Sequence, residues 1–118
     1  MTVEPEMDIL FNSRKLEKKL SNFNALKRRY GTEQAKKIQQ RIFELQAADN
    51  LDILWALPQI RAHELKGNLA GQVSLDIKHP YRLLIKPDYV NPPKKEDGGL
   101  DRAKITRVRI LRVEDTHG

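Results

Sequence analysis

The sequence predicts an α+β domain in which a helical hairpin packs on one face of a twisted, mainly antiparallel sheet of four to five strands. Three observations lead there. Val73, Leu75 and Ile77 alternate with polar residues, and so do Tyr81, Leu83 and Ile85, which is the period-2 pattern of half-buried strands. A third alternating run, Ile105 to Val113, leads into the chain end. Upstream the apolar spacing is helical instead: Leu16, Leu20, Phe23, Leu26 and Tyr30, then Ala35, Ile38, Ile42 and Leu45.

Taken in order, residues 1–6 read as a loose acidic tail, and Met7 to Phe11 as a short apolar strand. Asn12 or Ser13 can cap a helix running from about Arg14 to Tyr30. Its outer face carries Arg14, Lys15, Lys18, Lys19, Lys27, Arg28 and Arg29, with Glu17 as the lone acid. Such a face is either solvated or a nonspecific contact for nucleic-acid phosphates. Gly31 stands where a left-handed C-cap is wanted, and Thr32 can cap a second helix, Glu33 to about Ala48. Asn50 starts a short helical piece, Leu51 to Leu57, stopped by Pro58, with Leu54 and Trp55 as packing residues; base stacking is the other use of Trp55. His79-Pro80 turns the chain between the paired strands. Residues 87–103 hold Pro92-Pro93, a charged run and Gly98-Gly99, a composition that predicts a mobile excursion between the last two strands. In the last strand Val108 and Ile110 occupy even positions, while Leu111 and Val113 occupy odd ones. Either both faces are covered or a bulge shifts the register.

The chain of 118 residues fits one domain, 1–118, with 22 basic against 16 acidic side chains and a net charge of +6. That balance suits an anionic partner or a well-solvated basic surface. Cysteine is absent, which excludes disulfides and thiolate chemistry. There is no basic segment followed by an apolar core at the start and no apolar run of membrane-spanning length, so a cytoplasmic protein with no membrane partner is expected. No histidines, cysteines or carboxylates stand at metal-ligand spacing, so neither metal nor cofactor is expected.

The polar groups suited to chemistry are His63, Lys66, Arg82, Asp115 and His117, all within or beside the strands. In an extended chain end Asp115 and His117 stand about 6.5–7 Å apart on one side. They can share a phosphate, or Asp115 can orient the imidazole or act as the base; the plain alternative is a frayed terminus. Gly67 allows close approach of a phosphate to the backbone beside Lys66. The planar fork of Arg82 suits a phosphate. His63 can orient Lys66.

The order strand, helical hairpin, His63-Glu-Leu-Lys66-Gly67, paired strands with Tyr81-Arg82, and terminal Asp115-Thr116-His117 resembles the RelE/ParE superfamily of bacterial toxins, and within it the HigB-type toxins. The resemblance covers roughly residues 7 to 117. It implies a RelE-like fold and a metal-free, ribosome-dependent mRNA endonuclease. Its implied partners are the ribosome and mRNA, and a cognate helix-turn-helix antitoxin through which alone it meets operator DNA. It also implies that Lys66, Arg82, Asp115 and His117 are catalytic and that His63, Gly67 and Thr116 contact RNA. Thr116 stands where the pattern has Tyr, which removes a flat face for base stacking. The rival functions on the same fold are a ParE-like inhibitor of DNA gyrase and a non-catalytic antitoxin-binding member.

Overall fold

A computed structural model describes residues 6–116; residues 1–5 of the expected tail, and His117 with Gly118, lie outside the described residues. Five strands form one mixed sheet: β1 (Asp8–Phe11), β2 (His63–Glu64), β3 (Val73–Asp76), β4 (Tyr81–Pro87) and β5 (Arg107–Asp115). Their spatial order is β1-β5-β4-β3-β2, with β1 parallel to β5 and every other pair antiparallel. The expected α+β architecture is therefore present, and the two-residue β2 supplies the fifth strand.

The expected first helix is two. Helix α1 (Arg14–Leu20) starts at Ser13, whose hydroxyl accepts from the Leu16 amide at 3.0 Å. It stops at Ser21, and the Asn22 side chain accepts from the Ala25 amide at 3.0 Å to start α2 (Phe23–Tyr30). Ser and Asn compete with helical backbone bonding through their own side chains, which is why the chain breaks there although the apolar stripe runs on. Helix α3 (Thr32–Ala47) follows Gly31, whose φ of 87° and ψ of 163° lie in a region that side chains avoid. Thr32 does not cap it; Gly31 holds the cap position and Thr32 is the first helical residue. The short α4 (Asp52–Trp55) ends before a 3₁₀ turn, Pro58–Ile60, so Pro58 begins that turn rather than ending a longer helix.

Leu20, Leu26, Ala35, Ile38 and Leu45 bury against Val73, Leu75, Leu83, Ile85, Val108 and Ile110 on one sheet face. Leu20→Ala and Ile38→Ala are each expected to lose roughly 2–5 kcal/mol in chemical denaturation. Losses below about 0.5 kcal/mol at both would contradict this packing.

The register question in the last strand resolves as a bulge. Leu84 pairs with Arg112 but Ile85 pairs with Ile110, leaving Leu111 as the extra residue. Val108, Ile110 and Val113 can then all face the helices.

The excursion begins later than expected, because Pro87 is buried and pairs with Val108 as the last residue of β4. Beyond it the chain folds back on itself. The Lys95 amide donates to the Gly99 carbonyl at 2.8 Å, the Asp101 amide donates to the Pro93 carbonyl at 2.9 Å, and Leu100 is buried. A 3₁₀ turn, Arg102–Lys104, follows, and Arg102 lies over the Trp55 ring at 4.2 Å and against Asp52 at 2.9 Å. Trp55 is thus half-buried as a packing residue. We confine the expected mobility to the exposed tip, residues 94–98, where trypsin is expected to cut the folded chain first. Resistance at Lys94 and Lys95 would contradict it.

Candidate functional site

Residues opposed across strands leave the sheet on the same face. The pairings therefore sort the polar groups into rows. One row on the face away from the helices is His63, Ser74, Leu84 and Arg112. The next is Asp76, Arg82 and Glu114. Where these rows meet the His79-Pro80 turn, a concavity of about 210 Å³ opens, lined by Arg61, His63, Ser74, Asp76, Arg82 and Thr116 among others.

Each wall has a local cause. Arg61 ends the 3₁₀ turn in the left-handed region, φ 48°, a conformation that costs a non-glycine residue on the order of 1–3 kcal/mol. Its carbonyl lies 3.0 Å from His63 Nδ1. A hydrogen bond there requires the proton on Nδ1, which leaves Nε2 of the neutral ring as the acceptor. Arg61 Nε also lies 3.5 Å from the Asp76 carboxylate across the opening. Ser74 is fully buried between His63 and Leu84, and its hydroxyl has no partner among the described residues. Replacing it with Ala is expected to leave the melting temperature unchanged or raised, because an unsatisfied buried hydroxyl stabilises nothing. A drop of several degrees would reveal a hidden partner.

Arg82, half-buried, donates through Nε at 2.8 Å and Nη2 at 2.5 Å to one oxygen of Glu114. Arg112 reaches the other oxygen at 3.3 Å. Hydrogen bonding from Arg82 holds the Glu114 carboxyl below its ordinary range; burial opposes the shift and Arg112 adds to it. Thr116 donates both its amide, at 2.9 Å, and its hydroxyl, at 2.7 Å, to the Pro80 carbonyl, which fixes Thr116 at the lip of the concavity.

The structure thus brings His63, Arg82 and Thr116 together. Lys66 and Gly67 are not among the residues lining the concavity; they stand at the start of a 3₁₀ turn, Gly67–Leu69, that follows β2, both are exposed, and Gly67 has φ 66°. Asp115 pairs with Tyr81, so its side chain leaves the opposite face from Arg82. Glu114 is the carboxylate beside Arg82, and the sequence reading passed over it. The reading also missed Arg41. That residue is buried on α3 and donates to the Asp76 carbonyl at 2.5 Å, to Glu44 at 2.7 Å and to the Gln59 carbonyl at 3.2 Å. A charged residue directly beside Ile42 and three beyond Ile38 in an apolar stripe was its signal.

A larger groove of about 640 Å³ lies elsewhere, with Phe11, Leu20, Ile42 and the exposed Phe43 among its lining. Its ionisable lining residues are Glu17 and Lys36, with neither imidazole nor guanidinium, so it suits contact better than phosphate chemistry. Among the described residues no group of three or more His, Cys, Asp or Glu side chains is arranged to hold a metal ion, and no helix is long and apolar enough to cross a membrane.

No protein-family model matches the sequence, and no curated protein matches it significantly. Solved structures do match. The YoeB-YefM complex from Staphylococcus aureus aligns over 92% of this chain and 94% of that one, at 18% identity and a TM-score of 0.52. A YoeB/ParE toxin from Agrobacterium tumefaciens aligns over 92% and 98%, at 13% identity and a TM-score of 0.50. Both likenesses extend over nearly the whole of each chain. The chain has the fold of the RelE/ParE toxin superfamily.

Proposed function

We propose that this chain is the toxin of a toxin–antitoxin pair and cleaves mRNA on the ribosome at the concavity around Arg82. The observation that carries the reading is the convergence there of a proton acceptor and a phosphate-binding fork. His63, with Nδ1 turned to the Arg61 carbonyl, offers Nε2 as an acceptor, and the Arg82 guanidinium shares the same opening. Metal-free RNA cleavage needs a base for the 2′-hydroxyl, an acid for the departing 5′-oxygen and cations for the phosphoryl charge. His63 serves as the base in this reading and Arg82 as the cation. His117, next in sequence after the tethered Thr116, serves as the acid. Lys66 and Gly67 contact the RNA backbone outside the concavity. Asp115, on the other face beside Tyr81, takes no part in the phosphate chemistry. A helix-turn-helix antitoxin restrains the toxin, in line with a HigB-type pair, and carries it to operator DNA.

Incubating the purified chain with programmed ribosomes tests the reading. The expected products are mRNA fragments cut at the ribosome, with a 2′,3′-cyclic phosphate on the upstream piece. Intact mRNA at stoichiometric chain would overturn it, and inhibition of DNA gyrase in its place would favour the ParE-like alternative.

A further inference from the structure

Arg82 is the cation that the proposed chemistry assigns to the substrate phosphate, yet the Nε–Nη2 edge of its guanidinium is already taken. Two of its nitrogens converge on one carboxylate oxygen of Glu114, at 2.8 and 2.5 Å. A carboxylate bound in that way occupies the position that a phosphate oxygen would take on that edge. Both side chains keep about a quarter of their surface exposed, 22% for Arg82 and 26% for Glu114, so the pair lies within reach of an entering ligand. Glu114 is also divided between two cations, because its second oxygen lies 3.3 Å from Arg112 on the same strand. A carboxylate with two guanidinium partners can leave one without losing its charge compensation.

We propose that Glu114 is an internal anion that competes with the RNA phosphate for Arg82 and passes to Arg112 when the phosphate enters. The inference rests on the reading of Arg82 as the phosphate ligand. It makes Glu114 a positioning residue that sets the affinity of the site. In the empty protein it holds the guanidinium aligned; in the complex it withdraws to Arg112, and the phosphate inherits a preformed fork. Two consequences follow. The site discriminates against weak anions, since each must displace a carboxylate already bound. Removal of the negative charge should tighten binding of RNA, opposite to the effect of removing a substrate contact.

The test uses fluorescence anisotropy of the full chain with a short, labelled RNA carrying 2′-O-methyl groups throughout, which binds but cannot be cleaved. Glu114→Gln is expected to bind roughly three- to tenfold more tightly than the parent, the scale of releasing a partly exposed ion pair. Glu114→Ala should behave alike, and thermal melting confirms that each variant is folded. Arg112→Ala, which leaves Glu114 tied to Arg82 alone, should weaken binding in the parent and have no effect in the Glu114→Gln background. Arg82→Ala should lose most of the binding. If Arg82→Ala binds poorly while folded Glu114→Gln and Glu114→Ala bind no tighter than the parent, the competition is refuted and the phosphate role of Arg82 survives. If Arg82→Ala binds as well as the parent, that role falls and the inference falls with it. An equal loss from Arg112→Ala in both backgrounds would show Arg112 contacting RNA directly and would overturn the transfer.

Discussion

Arg82→Ala is expected to slow cleavage of ribosome-bound mRNA by roughly 100- to 1,000-fold, the usual cost of losing one donor to charge that builds in a transition state. The effect should fall on the rate at saturating ribosome concentration as well as on affinity, since phosphoryl charge grows as the 2′-oxygen attacks. The fold should tolerate the change. Arg82 is only half-buried, and after its removal Glu114 keeps Arg112 at 3.3 Å. The loss of stability should therefore stay within about 1 kcal/mol. Single-turnover cleavage on programmed ribosomes, with a melting curve on the same sample, separates the two effects. A folded Arg82→Ala protein that cleaves within about twofold of the parent would remove Arg82 from the chemistry.

Arg41→Ala should cause the largest loss of stability among the polar positions. The side chain is 2% exposed and satisfies three acceptors: the Asp76 carbonyl, the Gln59 carbonyl and the Glu44 carboxylate. Gln59 in turn donates to the other Glu44 oxygen at 3.0 Å, so α3, the 3₁₀ turn and the end of β3 meet at this guanidinium. Truncation leaves those groups short of donors where water has little access. A cost of roughly 2–4 kcal/mol follows, below the full buried-pair figure because the Glu44 side chain keeps 15% exposure. Arg41→Lys should recover only part of it, since an ammonium cannot span three acceptors spread around a planar fork. Activity should suffer too, because Asp76 and the turn before Arg61 form one wall of the concavity. Chemical denaturation reads the stability, and a loss below about 0.5 kcal/mol would contradict the network.

The layers of the fold were legible because apolar spacing is a local property. The stripes through Leu20, Leu26, Ile38 and Leu45, and the alternation through Val73–Ile77 and Tyr81–Ile85, gave each element its buried face. The break at Ser21-Asn22 was hidden because the stripe keeps its spacing across it; only the Asn22 cap betrays the new start. The site was harder to read. Whether Glu114 or Asp115 stands beside Arg82 depends on the bulge at Leu111 and on pairing between residues more than thirty positions apart. Local pattern narrowed that register to two alternatives and could not choose between them. The acceptor role of His63 Nε2 rests on the Arg61 carbonyl, and the orphaned Ser74 hydroxyl on burial, both products of tertiary structure.

Primer extension on cellular mRNA after a brief induction tests the central claim most directly. New 5′ ends within translated messages should appear with the parental chain and be absent with Arg82→Ala expressed to the same level. Unbroken messages from cells whose growth has stopped, or the same ends from both proteins, would contradict it.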